Sequence, residues 1–144
     1  MEEKTTKISK QILIIRKDLN MRKGKIAAQA SHASMKVLLD MMEKEPNECS
    51  QNSEGNELWK LHLNSNTALH NWIVGRFTKV CVSVDSLEEL NEVYEKAKTI
   101  GILCSLITDA GLTEFNGVPT VTCCAIGPAW ADEVDPITGH LKLL

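Results

Sequence analysis

With 43 % hydrophobic and 24 % charged residues over 144 positions, the chain has the make-up of one ordinary globular domain, which excludes a disordered or fibrous polymer. The length leaves no room for a second full domain, so residues 1–144 are read as a single unit. A formal net charge of −3 excludes a protein that coats nucleic acid by bulk electrostatics, yet residues 1–25 hold eight Lys or Arg against three acids, so a local basic site can sit on an acidic body.

The segment 1–7 is charged, and the longest wholly aliphatic run is 12–15, so neither a signal peptide nor a membrane span is expected and a cytoplasmic location is. Residues 11–16, β-branched and Leu-rich, predict a buried strand, followed by a polar loop over 17–23. A helix is expected from Gly24 to Glu43. Its alanines, with Ala27, Ala30, Ala33, Ser34, Val37, Leu38 and Met41 on one broad side, imply close approach to a sheet.

The segment 46–56 is rich in Asn, Ser, Gln and Gly and reads as a loop; Leu58, Leu61, Leu69, Trp72 and Ile73 then predict a second helix over 58–74. Residues 79–84 read as a strand. Ser86 with Glu89 three positions on forms a capping box, which starts a helix ending at Gly101. Residues 103–108 and 120–126 are two further strands, separated by a loop beginning at Asp109 and closed by Gly127-Pro128. The expected fold is an α/β domain on a mixed sheet, whose function should collect in loops at strand ends. Lys25 and Asp109 both stand there.

Lys25, Gln29, His32 and Lys36 recur at spacings of four, three and four, a polar stripe down one helix face. Lys25 would lie in the first turn, beside the positive end of the helix dipole, where a cation costs about 0.3–1 kcal/mol. An anionic substrate explains that placement, because free N–H groups and a lysine at a helix N-terminus form a ready anion site. The five cysteines, Cys49, Cys81, Cys104, Cys123 and Cys124, show no Cys-x-x-Cys spacing. They read as reduced, mostly buried thiols, with one of the vicinal pair facing the core, and no metal site is expected.

Three pieces carry a family resemblance. They are Arg16-Lys-Asp-Leu-Asn-Met-Arg-Lys-Gly-Lys-Ile-Ala-Ala-Gln-Ala-Ser-His-Ala, then Asp109-Ala-Gly-x-Thr, and Ala125-Ile-Gly-Pro with Ile137-Thr-Gly-x-Leu-Lys-Leu-Leu. In order and spacing the chain resembles the archaeal and eukaryotic, type II, peptidyl-tRNA hydrolases from about residue 10 to its end, interrupted by an insertion at about 45–70. The resemblance implies a three-layer α/β/α sandwich on a four-stranded mixed sheet, and hydrolysis of the ester joining peptide to tRNA, with no cofactor. The implied partner is tRNA, without a membrane, and self-association into a homodimer is left open.

By the same resemblance Lys25, Asp109 and Thr113 match catalytic positions, while Gln29, His32 and Thr122 match further positions of the site. Arg22 and Lys23 would face the RNA backbone, and Gln29 and Thr122 are grouped with them as tRNA contacts. Such a reaction needs activated water, a positive stabiliser for the oxyanion and docking of a polyanion. Asp109 is a candidate to hold Lys25 and to orient or deprotonate water; Lys25 is a candidate to stabilise the oxyanion or the departing ribose oxygen. Histidine is the side chain suited to acid–base work near neutral pH, which makes His32 a candidate base, but a histidine on an alanine-rich helix is as often a packed residue. Asp109 before Gly111 also reads simply as a turn former. Two departures concern docking: Leu112 stands where the family usually has Arg, and Glu114 where it has Gln. They keep two alternatives open, a noncatalytic RNA-binding adaptor and a hydrolase of another acylated substrate.

Overall fold

A computed structural model of the chain describes residues 6–46 and 55–144. Strand β1 (Ser9–Arg16) leads through a 3₁₀ turn (Lys17–Leu19) into helix α1 (Lys23–Leu39). Two short strands, β2 (Glu43–Lys44) and β3 (Trp59–Lys60), pair with each other, and helix α2 (Ala68–Val74) follows. Then come β4 (Lys79–Val84), α3 (Leu87–Thr99), β5 (Cys104–Asp109), β6 (Thr120–Trp130), α4 (Ala131–Thr138) and β7 (Lys142–Leu143).

The main sheet runs β5-β6-β1-β4-β7. Only β1 and β4 are parallel, the other pairs being antiparallel, so the sheet is mixed as expected. It has five strands rather than four. The fifth is β7, a two-residue edge that pairs Leu143 with Val82 and Lys142 with Ser83, too short for alternation to announce it.

Alternate residues of β1 serve opposite layers, because side chains leave a strand on alternate faces. Ile12 and Ile14 pack with Leu90, Val93 and Ala97 of α3 and with Val134 and Ile137 of α4. Leu13 and Ile15 pack with Ala33 and Val37 of α1, and α2 borders the same layer across a groove of about 620 Å³ over Leu13. Since both faces are covered, Cys123 and Cys124 are both fully buried, not one of the two. Burial pushes the Cys123 thiol up to about 11 and the Cys124 thiol still higher. Cys81 and Cys104 are also free thiols, Cys81 exposed rather than buried, and Cys49 lies outside the described residues.

Several boundaries differ from expectation. Helix α1 stops at Leu39 because Glu43 and Lys44 enter the small sheet. The helix expected over 58–74 is only Ala68–Val74: Asn64 turns the chain by accepting from the Asn66 N–H at 3.1 Å, and Thr67 caps α2 by accepting from the His70 N–H at 3.2 Å. Residues 47–54 of the expected loop lie outside the described residues. Strand β6 runs past Gly127-Pro128 to Trp130. A register shift against β1 between Lys10 and Ile12 accommodates the proline, and Gly127, at φ 97°, sits where a Cβ would meet the Lys10 carbonyl oxygen at 2.6 Å. The Ser86 cap forms as expected, the Glu89 N–H donating to Ser86 Oγ at 3.1 Å, while the Glu89 carboxylate reaches one residue further back than in a standard capping box, Oε2 accepting from the Asp85 N–H at 2.9 Å. Ala27, expected on the buried side of α1, is exposed; Gln29, expected on the polar stripe, is buried.

Candidate active site

Strand β5 ends at Asp109, and the first turn of α1 places Lys25 against it. Lys25 Nζ donates to Asp109 Oδ1 at 2.8 Å and to Thr113 Oγ1 at 2.9 Å. The two charged side chains are only 12 and 15 % exposed, so the pair is partly desolvated and its attraction is weakly screened. The same ammonium stands 5.6 Å from the centre of the Phe115 ring, a contact with no sequence signal.

Asp109 is heavily bonded. Oδ1 also accepts from Gln29 Nε2 at 3.1 Å, and Oδ2 accepts from the Gly111 N–H at 2.9 Å. The last contact is the turn expected from Asp-x-Gly, so the turn role and the lysine contact belong to one residue. Gly111 is required there: φ is 81°, and a Cβ would lie 2.4 Å from the Val118 carbonyl oxygen. The Lys25 hydrogen bond is the largest influence holding the Asp109 carboxyl below its usual range, aided by Gly111 and Gln29 against the opposing effect of burial.

Behind Asp109 runs a buried chain. Thr122 donates to Gln29 Oε1 at 2.6 Å, and Gln29 in turn donates to Asp109. Thr122 is 0 % and Gln29 2 % exposed, which conflicts with the expectation that they contact tRNA: neither side chain is open to a phosphate. The polar stripe therefore divides. Lys25 and Gln29 enter the cluster, whereas His32 is exposed and shares no hydrogen bond with it, and Lys36 pairs with Asp40 at 2.9 Å. His62 and His140 are exposed and His70 is half-buried on α2.

At the rim, Arg22 and Lys23 are exposed. Arg22 Nε lies 3.5 Å from Glu114 Oε1, so one of the expected RNA-facing cations is held by the acid that departs from the family pattern. Leu112, the other departure, is 86 % exposed on the same loop. Among the described residues no three His, Cys, Asp or Glu side chains gather as a metal-ligand set. No helix among them is long and apolar enough to cross a membrane.

Comparison with known proteins places the chain in a family. The family model described as "Peptidyl-tRNA hydrolase PTH2" matches residues 9–144. A peptidyl-tRNA hydrolase of Sulfurisphaera tokodaii is 40 % identical over 136 residues, covering 94 % of this chain and 98 % of the relative. Namesakes from Methanocaldococcus jannaschii and Metallosphaera sedula are 38 and 39 % identical over 135 residues, each covering 94 % of this chain and 99 % of the relative. With the family model spanning nearly the whole sequence, the chain belongs to the peptidyl-tRNA hydrolase PTH2 family, a family of hydrolases.

Proposed function

We propose that this chain hydrolyses the ester of peptidyl-tRNA at the Lys25–Asp109–Thr113 cluster, and that it does so in the cytoplasm, where its substrate arises. The observation that carries the reading is the Lys25 ammonium held at 2.8 and 2.9 Å by Asp109 and Thr113. An ammonium has three hydrogens, and those two contacts use two of them. The third is available to the ester carbonyl oxygen, where negative charge develops in the tetrahedral intermediate. Thr113 accepts from Lys25, so its own hydroxyl hydrogen is free to donate to the same oxygen or to the ribose.

Among the described residues Asp109 Oδ2 accepts only the Gly111 N–H, which leaves a second lone pair for a water. That water attacks the ester carbon and passes a proton to the carboxylate. As the bond to the ribose oxygen breaks, Lys25 protonates the leaving alkoxide, and the Asp109 proton returns to the lysine. The products are tRNA with a free terminal hydroxyl and a peptide carboxylic acid, which loses the remaining water proton to solvent to become the carboxylate. Thr122 and Gln29 act as positioning residues, fixing Asp109 from below. Arg22 and Lys23 supply phosphate contacts at the rim.

The intact cluster disfavours the adaptor alternative, since an adaptor has no use for a desolvated lysine beside a carboxylate. The deciding experiment incubates the protein with N-acetyl-aminoacyl-tRNA and with free aminoacyl-tRNA and follows ester release. Faster release from the blocked ester is expected; release from neither sinks the reading.

A further inference from the structure

Strand β5 is one of the two outer strands of the sheet; among the described residues it is hydrogen-bonded to β6 alone, and it ends at Asp109. Its outer edge is defined by the ladder. The Gly127 N–H donates to the Leu103 carbonyl at 2.7 Å, and the register pairs Cys104 with Ile126, Ser105 with Ala125, Leu106 with Cys124 and Ile107 with Cys123. In an antiparallel pair, residues alternate between those that bond across and those whose N–H and C=O point away. Leu103 bonds toward β6, hence Ser105 and Ile107 do as well, and Cys104 and Leu106 turn their main-chain groups outward.

We propose that this edge takes the peptide portion of the substrate as an added strand, parallel to β5, so that its C-terminal ester arrives beside Asp109 and Lys25. The inference rests on the hydrolase reading above. Its physical basis is that a hydrolase of peptidyl-tRNA meets peptides of any sequence. Recognition must then use what all peptides share, and an open strand edge offers main-chain hydrogen bonds without asking for side chains. The polarity is dictated by the chemistry: the peptide's C-terminus carries the scissile ester, and the site stands at the C-terminal end of β5, so only a parallel strand presents the right end. Six residues from Cys104 to Asp109 span about 16 Å at the usual rise, enough for about four or five peptide residues.

The test uses the wild-type protein and N-acetyl-peptidyl-tRNAs of one to six residues. The specificity constant should climb with length and level off at about five residues. Within a five-residue peptide, single N-methylations should alternate: those at N–H groups facing β5 reduce the constant by about three- to tenfold, the scale of one net hydrogen bond, and those between them do not. Exchanging side chains at fixed length should change it little. On the protein side, Leu106→Pro removes an N–H that the ladder does not use and should flatten the length dependence. If that variant unfolds, the N-methyl series on wild-type protein still decides. Hydrolysis of N-acetyl-aminoacyl-tRNA with no length dependence, or an N-methyl pattern without alternation, overturns the edge proposal and leaves the hydrolase reading standing. The same flat profile with a concentration-dependent dimer in sedimentation would assign the edge to a second copy of the chain. No hydrolysis of any of these esters overturns both.

Discussion

The Thr122 hydroxyl and the Gln29 side-chain amide meet at 2.6 Å in a place closed to water, and their contact fixes which way the amide points. Asp109 can only accept, so Gln29 must offer it Nε2, and the Oε1 that remains must accept from Thr122. Thr122→Val keeps the shape, removes the donor and leaves a buried carbonyl unpaired. The expected result is a stability loss of about 1–3 kcal/mol in denaturant titration, with kcat reduced and the salt dependence of KM unchanged. A weakened salt dependence would return Thr122 to the tRNA-contacting role.

Lys25→Ala and Asp109→Ala should each lower kcat/KM by about 100-fold or more, the scale of losing a charge aimed at the transition state. Because each residue holds the other, the double variant should be little worse than either single one. Losses that multiply in the double variant would mean that the two side chains act separately.

The Asp109 carboxyl titrates below the ordinary carboxylate range, chiefly through its hydrogen bond from Lys25. For a group with a depressed native pKa, the stability it contributes is present above the ordinary value of about 4 and is lost as the pH falls through the native value. The acid limb of activity should accordingly lie below about pH 4. Lys25→Met removes the largest lowering influence while burial remains, so the Asp109 titration, followed by carboxyl carbon NMR, should move upward. An unmoved titration would show that Lys25 does not govern it.

Docking should rest on few phosphate contacts, since Arg22 is partnered by Glu114 and Leu112 replaces a cation. The plot of log affinity against log salt should have a slope on the order of −1 to −3. Leu112 is 86 % exposed, so Leu112→Arg introduces a cation without disturbing packing and should tighten binding and steepen the slope by about one unit. Glu114→Gln should tighten binding too, by releasing Arg22. No change in either variant would place the tRNA away from this loop.

Local chemistry made much of this protein readable from the chain alone. The β1 run, the Ser86–Glu89 cap and the Asp109-x-Gly111 turn depend on neighbours a few residues apart, so their signals are complete within the segment. The awkward cation at the start of α1 likewise pointed to Lys25 before any partner was known. Relations across the fold were not legible within any segment. Gln29 and His32 share a stripe on the helical wheel, yet only packing against β6 buries the first and leaves the second in water. Leu58 and Leu61 keep a helical rhythm that pairing of Trp59–Lys60 with Glu43–Lys44 overrides. The β7 edge exists only because β4 is there to pair with it, and the meeting of Lys25 with Asp109, 84 positions apart, was readable through the family resemblance but not from any pattern within a segment. Periodicity reports which face is apolar; which elements meet, and what that meeting desolvates, is settled by tertiary packing.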